Sequence, residues 1–201
     1  MNFLIDLYIV LYLIIGAPLN TLVNGDHGLP RWYDPGLQET ASEAFLEMEE
    51  AASQDEVKLE IFSGYRSYVY QQDVYKRESI LHPDSADFYL AHPGHSEHQL
   101  GTAFDVVWPG LHVDSKDPRN LRAFDWLEMN APLYGFVLSY PLKTIQIWPY
   151  DNRIYPLDGE FIYEPWHIRY VGGYLAQEMV DAGYLDPQSP VIPQDFYQIW
   201  P

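Results

Sequence analysis

Seven histidines stand in this chain, and four of them, His82, His92, His95 and His98, fall in one stretch. No cysteine is present, so neither a disulfide nor a thiolate nucleophile is available, and a transition metal would need imidazole and carboxylate ligands. Crowding alone does not make a site, because a single histidine more often satisfies a structural hydrogen bond. Spacing adds to the argument. In Ser96-Glu97-His98-Gln99-Leu100-Gly101-Thr102-Ala103-Phe104-Asp105, the small residues from Gly101 to Ala103 let the chain double back, so that His98 and Asp105 can face one point. Asp105 leads into Val106-Val107-Trp108, which puts its carboxylate at the edge of a core where an unpaired charge is costly. A metal ion is one partner that would relieve this cost; a neighbouring arginine is the other.

Glu164-Pro165-Trp166-His167 sets a second carboxylate three residues before another imidazole, and Pro165 argues for an extended or bulged segment over a helix interior. Two histidines and one aspartate around zinc would leave a fourth position open for water, the arrangement of catalytic zinc sites, with the water's pKa drawn towards about 7. Glu164 would then be free to act as general base. In the plainer alternative Glu164 belongs to a buried ion pair and Trp166 is core. A third element is Ser63-Gly64-Tyr65-Arg66-Ser67-Tyr68 with Gln71 beyond it, expected on the first turns of a helix. There Arg66 could stabilise an oxyanion, with Gln71 as a hydrogen-bond donor on nearly the same face, or it could make only a surface salt bridge.

The elements that must position these residues follow from periodicity. Ala41, Ala44, Phe45, Met48, Ala51 and Ala52 recur at helical spacing between Leu37 and Ala52, with Glu39, Glu43, Glu47, Glu49 and Glu50 on what should be a solvated face. Val57 to Phe62 alternates as a half-buried strand does, and Tyr65 to Ser79 reads as a helix. His82 to Gly101 should be a long ordered loop feeding a strand at Thr102 to Trp108. A helix at Asn120 to Asn130, strands at Phe136 to Tyr140 and Ile145 to Trp148, and a closing helix from Tyr170 to Ala182 complete the pattern. The Pro-rich tail at 187–201 is expected on the surface.

With 201 residues, 47% of them hydrophobic, the chain can bury one sizeable core and is short for two, so a single domain is expected. A formal charge of -18 would repel a polyphosphate backbone, which excludes nucleic acid as an expected partner. The apolar segment at 1–21 carries no Lys or Arg and contains Asp6; it is either an export signal or anchor, the only route to membrane contact, or a buried strand or helix.

Together the three motifs resemble those of D-alanyl-D-alanine carboxypeptidases of the VanY type, within a wider group that includes D,D-dipeptidases, L,D-carboxypeptidases and Hedgehog-type domains. The likeness rests on Ser63 to Tyr68 with Gln71, on Pro93 to Asp105 and on Glu164 to Gly172, and extends from about Leu22 to Leu185. Leu100 stands where Thr is frequent, and Ser139 where Arg is common. The resemblance implies a small α+β domain, over 22–186, with helices packed on an antiparallel sheet that carries zinc in a cleft. It also implies His98, Asp105 and His167 as zinc ligands, Glu164 as base, Arg66 and Gln71 engaging substrate or oxyanion, and Ser96 binding the substrate's terminus. The expected activity is zinc-dependent removal of C-terminal D-alanine from peptidoglycan stem peptides by a monomer outside the cytoplasm, although a cytoplasmic location is also open. An L,D-carboxypeptidase, a cell-wall endopeptidase and a non-catalytic zinc module are the alternatives.

Overall fold

Alternation along two short strands sorts the side chains of this protein onto opposite faces of one sheet. The computed structural model describes residues 17–84, 86–88, 90–142, 163–189 and 191–199. Its elements run β1 (Thr21–Leu22), α1 (Glu39–Gln54), β2 (Glu60–Ser63), α2 (Tyr68–Leu81), β3 (Ala103–Val107), α3 (Pro118–Asn130), β4 (Phe136–Leu138), β5 (His167–Tyr170), α4 (Gly173–Asp181) and β6 (Gln198–Ile199). Four strands form an antiparallel sheet in the order β2-β3-β5-β4, and β1 pairs in parallel with β6. This is the expected α+β single domain. The anticipated strand at Ile145 to Trp148, and most of the apolar N-terminal segment, lie outside the described residues. Among the described residues no helix is long and apolar enough to cross a membrane.

Phe104 and Val106 of β3, Ile168 of β5, and Phe136 and Leu138 of β4 share one core cluster with α1 and α3. From α1 come Ala41, Phe45, Met48 and Ala52, one stripe at helical spacing. Phe45 stands edge-on to Phe104 and Phe136, with centroids 5.6 and 6.5 Å apart. Glu39, Glu43, Glu47 and Glu50 are exposed, as a solvated face requires. At α3, Asp117 accepts from the Arg119 N–H and Pro118 occupies the first turn, which moves the start ahead of the expected Asn120. Asn120 is buried and ties down the loop before the helix, accepting from Trp108 N and donating to His112 O.

The opposite face of the sheet carries Asp105, His167 and Arg169, with Val137 beside α4. Here the expectation of a surface tail fails. Pro193 and Tyr197 are buried, Val191 and Phe196 pack with Ala176 and Met179 of α4, and β6 adds to β1. The apolar and aromatic residues of 191–199 cover a part of the sheet that α1 and α3 do not reach. Among the described residues, 191–199 therefore pack against the rest of the domain instead of standing apart from it.

Candidate active site

Asp105 and His167 are cross-strand partners on β3 and β5, so their side chains leave the same face of the sheet next to each other. His98 comes to meet them from a short 3-10 turn, Glu97–Leu100, closed by Gly101 at φ 76. A Cβ at Gly101 would collide with the Gly36 carbonyl oxygen, and the left-handed conformation already favours glycine. Potential ligand atoms of His98, Asp105 and His167 all lie within 4.8 Å of one another. Asp105 Oδ1 is 3.0 Å from His167 Nδ1, and Asp105 Oδ2 is 3.3 Å from His98 Nε2.

These residues fit zinc. Bonds of about 2.0–2.2 Å arranged tetrahedrally separate neighbouring ligand atoms by about 3.4 Å, close to the spacings seen. His98 Nε2 is buried without a hydrogen bond among the described residues, while its Nδ1–H donates to Gly64 O at 2.6 Å, which fixes the tautomer with a lone pair aimed at Asp105. Burial, followed by the Arg66 charge, lowers the His98 pKa to about 4, so the ring is neutral and able to ligate.

Sequence reasoning missed the group behind His167. Its Nε2–H points to Glu97 Oε2 at 3.1 Å, which directs Nδ1 towards Asp105. Glu97 also accepts from Ser139 Oγ at 2.5 Å and from Arg169 NH1 at 2.7 Å. Burial alone would raise the Glu97 pKa, but Arg169 and His167 hold it down at about 2. Burial likewise opposes a charge on His167, yet hydrogen bonds to Asp105 and Glu97 lift its pKa to about 10. The Glu97 carboxylate next to a candidate ligand was visible in the sequence; its partner on β5 was not.

Glu164 precedes β5 in a tight turn, His167 N donating to Glu164 O at 3.1 Å, so of the extended or bulged segment expected the structure shows a turn and no helix interior. Its Oε2 lies 3.9 Å from His167 Nδ1, beside the three candidate ligands and outside their set. Burial raises its pKa to about 7, with Asp105 pushing the same way against His167 and Arg66. Trp166 packs partly buried on the core, 6.1 Å from Phe124, so its plainer assignment holds.

Arg66 sits just ahead of α2 and not on it, because Ser67 caps the helix by accepting from Tyr70 N. Its guanidinium reaches to 3.7 Å from Asp105 Oδ2, so Asp105 meets an arginine and two histidines at once. Gln71 is buried, and its Nε2 donates one N–H to Ala91 O at 2.7 Å. The loop over α2 thus engages one of the two amide N–H groups, and Oε1 is an acceptor without a partner among the described residues. Arg66, Gln71, Ser96 and Glu164 line a cleft of about 560 Å³ together with the three candidate ligands, and Arg66 is the one Lys or Arg among the described lining residues.

The sequence profile described as VanY, D-alanyl-D-alanine carboxypeptidase, matches residues 34–173. Bacillus subtilis YodJ is 30% identical over 181 residues, which cover 80% of this chain and 62% of YodJ, so the chain spans less than two thirds of that relative. Among solved structures, the vancomycin-resistance D,D-pentapeptidase VanY from the VanB-type cassette, held with Zn(II), is similar at TM-score 0.67 and 25% identity, covering 87% of this chain and 96% of that one. LdcB, an L,D-carboxypeptidase solved for its peptidoglycan recognition, is similar at TM-score 0.63 and 29% identity, covering 84% and 86%. The match runs through all three motifs, and this chain belongs to the VanY family of D-alanyl-D-alanine carboxypeptidases.

Proposed function

We propose that this protein is a zinc-dependent carboxypeptidase that removes the C-terminal D-alanine of peptidoglycan stem peptides, acting outside the cytoplasmic membrane. The observation that carries this reading is Glu164, a partly buried carboxylate 3.9 Å from a candidate ligand nitrogen yet outside the ligand set. A purely structural metal site has no use for such a group, which argues against a binding module.

His98, Asp105 and His167 would hold the ion, which supplies Lewis-acid polarisation of the scissile carbonyl and of a water molecule. Glu164 takes one proton from the attacking water as the carbon–oxygen bond forms, and returns it to the departing amine nitrogen as the carbon–nitrogen bond breaks. Arg66 offers its N–H groups to the oxygen that becomes negative. Ser96 and Gln71, both lining the cleft, would orient the peptide. At -18 overall, the protein needs Arg66 to make the cleft receptive to a carboxylate-ended substrate.

An L,D-carboxypeptidase is the second reading, because LdcB is as similar in fold as VanY. Mass spectrometry separates the two: a pentapeptide ending in D-Ala-D-Ala and the matching tetrapeptide are each incubated with zinc-loaded or chelator-treated protein. Metal-dependent loss of one alanine supports the carboxypeptidase, and the peptide that shortens names the stereochemistry. No cleavage of either peptide by zinc-loaded protein would sink both.

Zinc uptake at pH 8 should also release at least one proton, because His167 holds its proton up to about pH 10 in the metal-free protein and must give it up to ligate. Titration calorimetry in buffers of different ionisation enthalpy reads this directly. A heat independent of buffer would mean that His167 starts neutral.

A further inference from the structure

Arg169 heads the fully buried side chains by volume, and it does not line the cleft. A buried guanidinium is tolerable only when its donors are used and its charge is met. NH1 donates to Glu97 Oε1 and NH2 to the carbonyl oxygens of Leu19 and Thr21, all at 2.7 Å. The Tyr197 ring covers its flat face, 4.2 Å from the guanidinium carbon. One cation thus joins β1, the turn that carries His98, the strand that carries His167 and the C-terminal segment. That segment touches Glu97's other support as well, since Gln194 Nε2 donates to the Ser139 carbonyl at 2.8 Å while the Ser139 hydroxyl donates to Glu97. Residues 191–199 lie beyond the family match, which ends at 173.

We propose that the C-terminal segment positions the metal site: Tyr197 holds Arg169, Arg169 fixes Glu97, and Glu97 sets the tautomer and orientation in which His167 presents Nδ1. The inference rests on the zinc reading above. Tyr197 is a positioning residue and touches neither substrate nor metal. Its lever is Glu97, because a carboxylate that accepts the second N–H of a ligating histidine is worth about 10–100-fold in metal affinity.

The test is zinc affinity of the full chain by competition with a chromophoric chelator, alongside the melting temperature of the metal-free protein. Tyr197→Leu, which keeps apolar bulk and loses the π face, should weaken zinc binding about 10-fold; Tyr197→Phe should restore it. Glu97→Gln should weaken it about 10–100-fold, and adding Tyr197→Leu to Glu97→Gln should cost little more, since both act through one carboxylate. A Tyr197→Leu protein with unchanged zinc affinity, even one that melts lower, would overturn the proposal, as would losses that simply multiply in the double variant. Should Tyr197→Leu fail to fold, the half-exposed Gln194→Ala carries the test, with about 3-fold weaker binding expected and unchanged binding counting against the proposal. Wild-type protein that binds no zinc would defeat the zinc reading itself, which is a different outcome.

Discussion

Glu164→Gln should give a folded, zinc-loaded protein whose hydrolysis of D-alanine-terminated peptides falls by about 10³-fold, within the range that general acid–base groups contribute. Steady-state kinetics with metal analysis of the same sample checks both halves. Near-normal hydrolysis would remove Glu164 from the mechanism, and loss of zinc would make it structural. The pH dependence adds an independent sign. In the metal-free protein burial holds Glu164 at about 7, and a nearby cation would draw that value down. The base must be ionised, so wild-type kcat/KM should fall as pH drops below a limb lying at or under pH 7, and Glu164→Gln should lose that limb. Because the folded-state pKa is raised, ionisation of Glu164 costs stability as pH rises through 7. Metal-free Glu164→Gln should therefore melt higher than metal-free wild type at pH 8.

Arg66→Ala should lower kcat/KM by about 10²–10³-fold, mostly in kcat, the loss typical of one oxyanion donor. Zinc affinity should be unchanged or slightly tighter, since the substitution removes a cation 3.7 Å from Asp105. Arg66→Lys should recover only part of the activity, because a point charge does not reproduce two parallel N–H donors. Zinc loss in Arg66→Ala, measured by equilibrium dialysis, would instead make the arginine a brace for Asp105.

The candidate ligands and the proposed base stand out in the sequence because each sits in a short window with its own spacing: His98 and Asp105 across the Gly101 turn, Glu164 and His167 across a proline. Helix starts were less so, and side chains set them. Ser67 moves the start of α2 past Arg66, and Asp117 with Pro118 moves that of α3 forward. What could not be read were partnerships between distant residues. Nothing near Glu97 in sequence announces that Arg169, 72 positions away, neutralises it. Gln71 was expected to donate, and only the loop lying over α2 shows that one of its N–H groups goes to Ala91 O. Val191, Phe196 and Tyr197 look like an apolar tail until the uncovered part of the sheet is known.

The pairing of Asp105 with His167 has a consequence for how the chain folds. The two sit 62 positions apart, directly opposite each other on β3 and β5, and a slip of one residue would send one of them to the far face. Capture of an ion by the full set must wait for a long-range strand pairing in correct alignment, which is among the slower events for a chain of this kind. In a refolding reaction carried out with cobalt, the visible colour of the bound ion would therefore serve as a clock for that pairing, separate from the earlier growth of helical signal from α1 and α3.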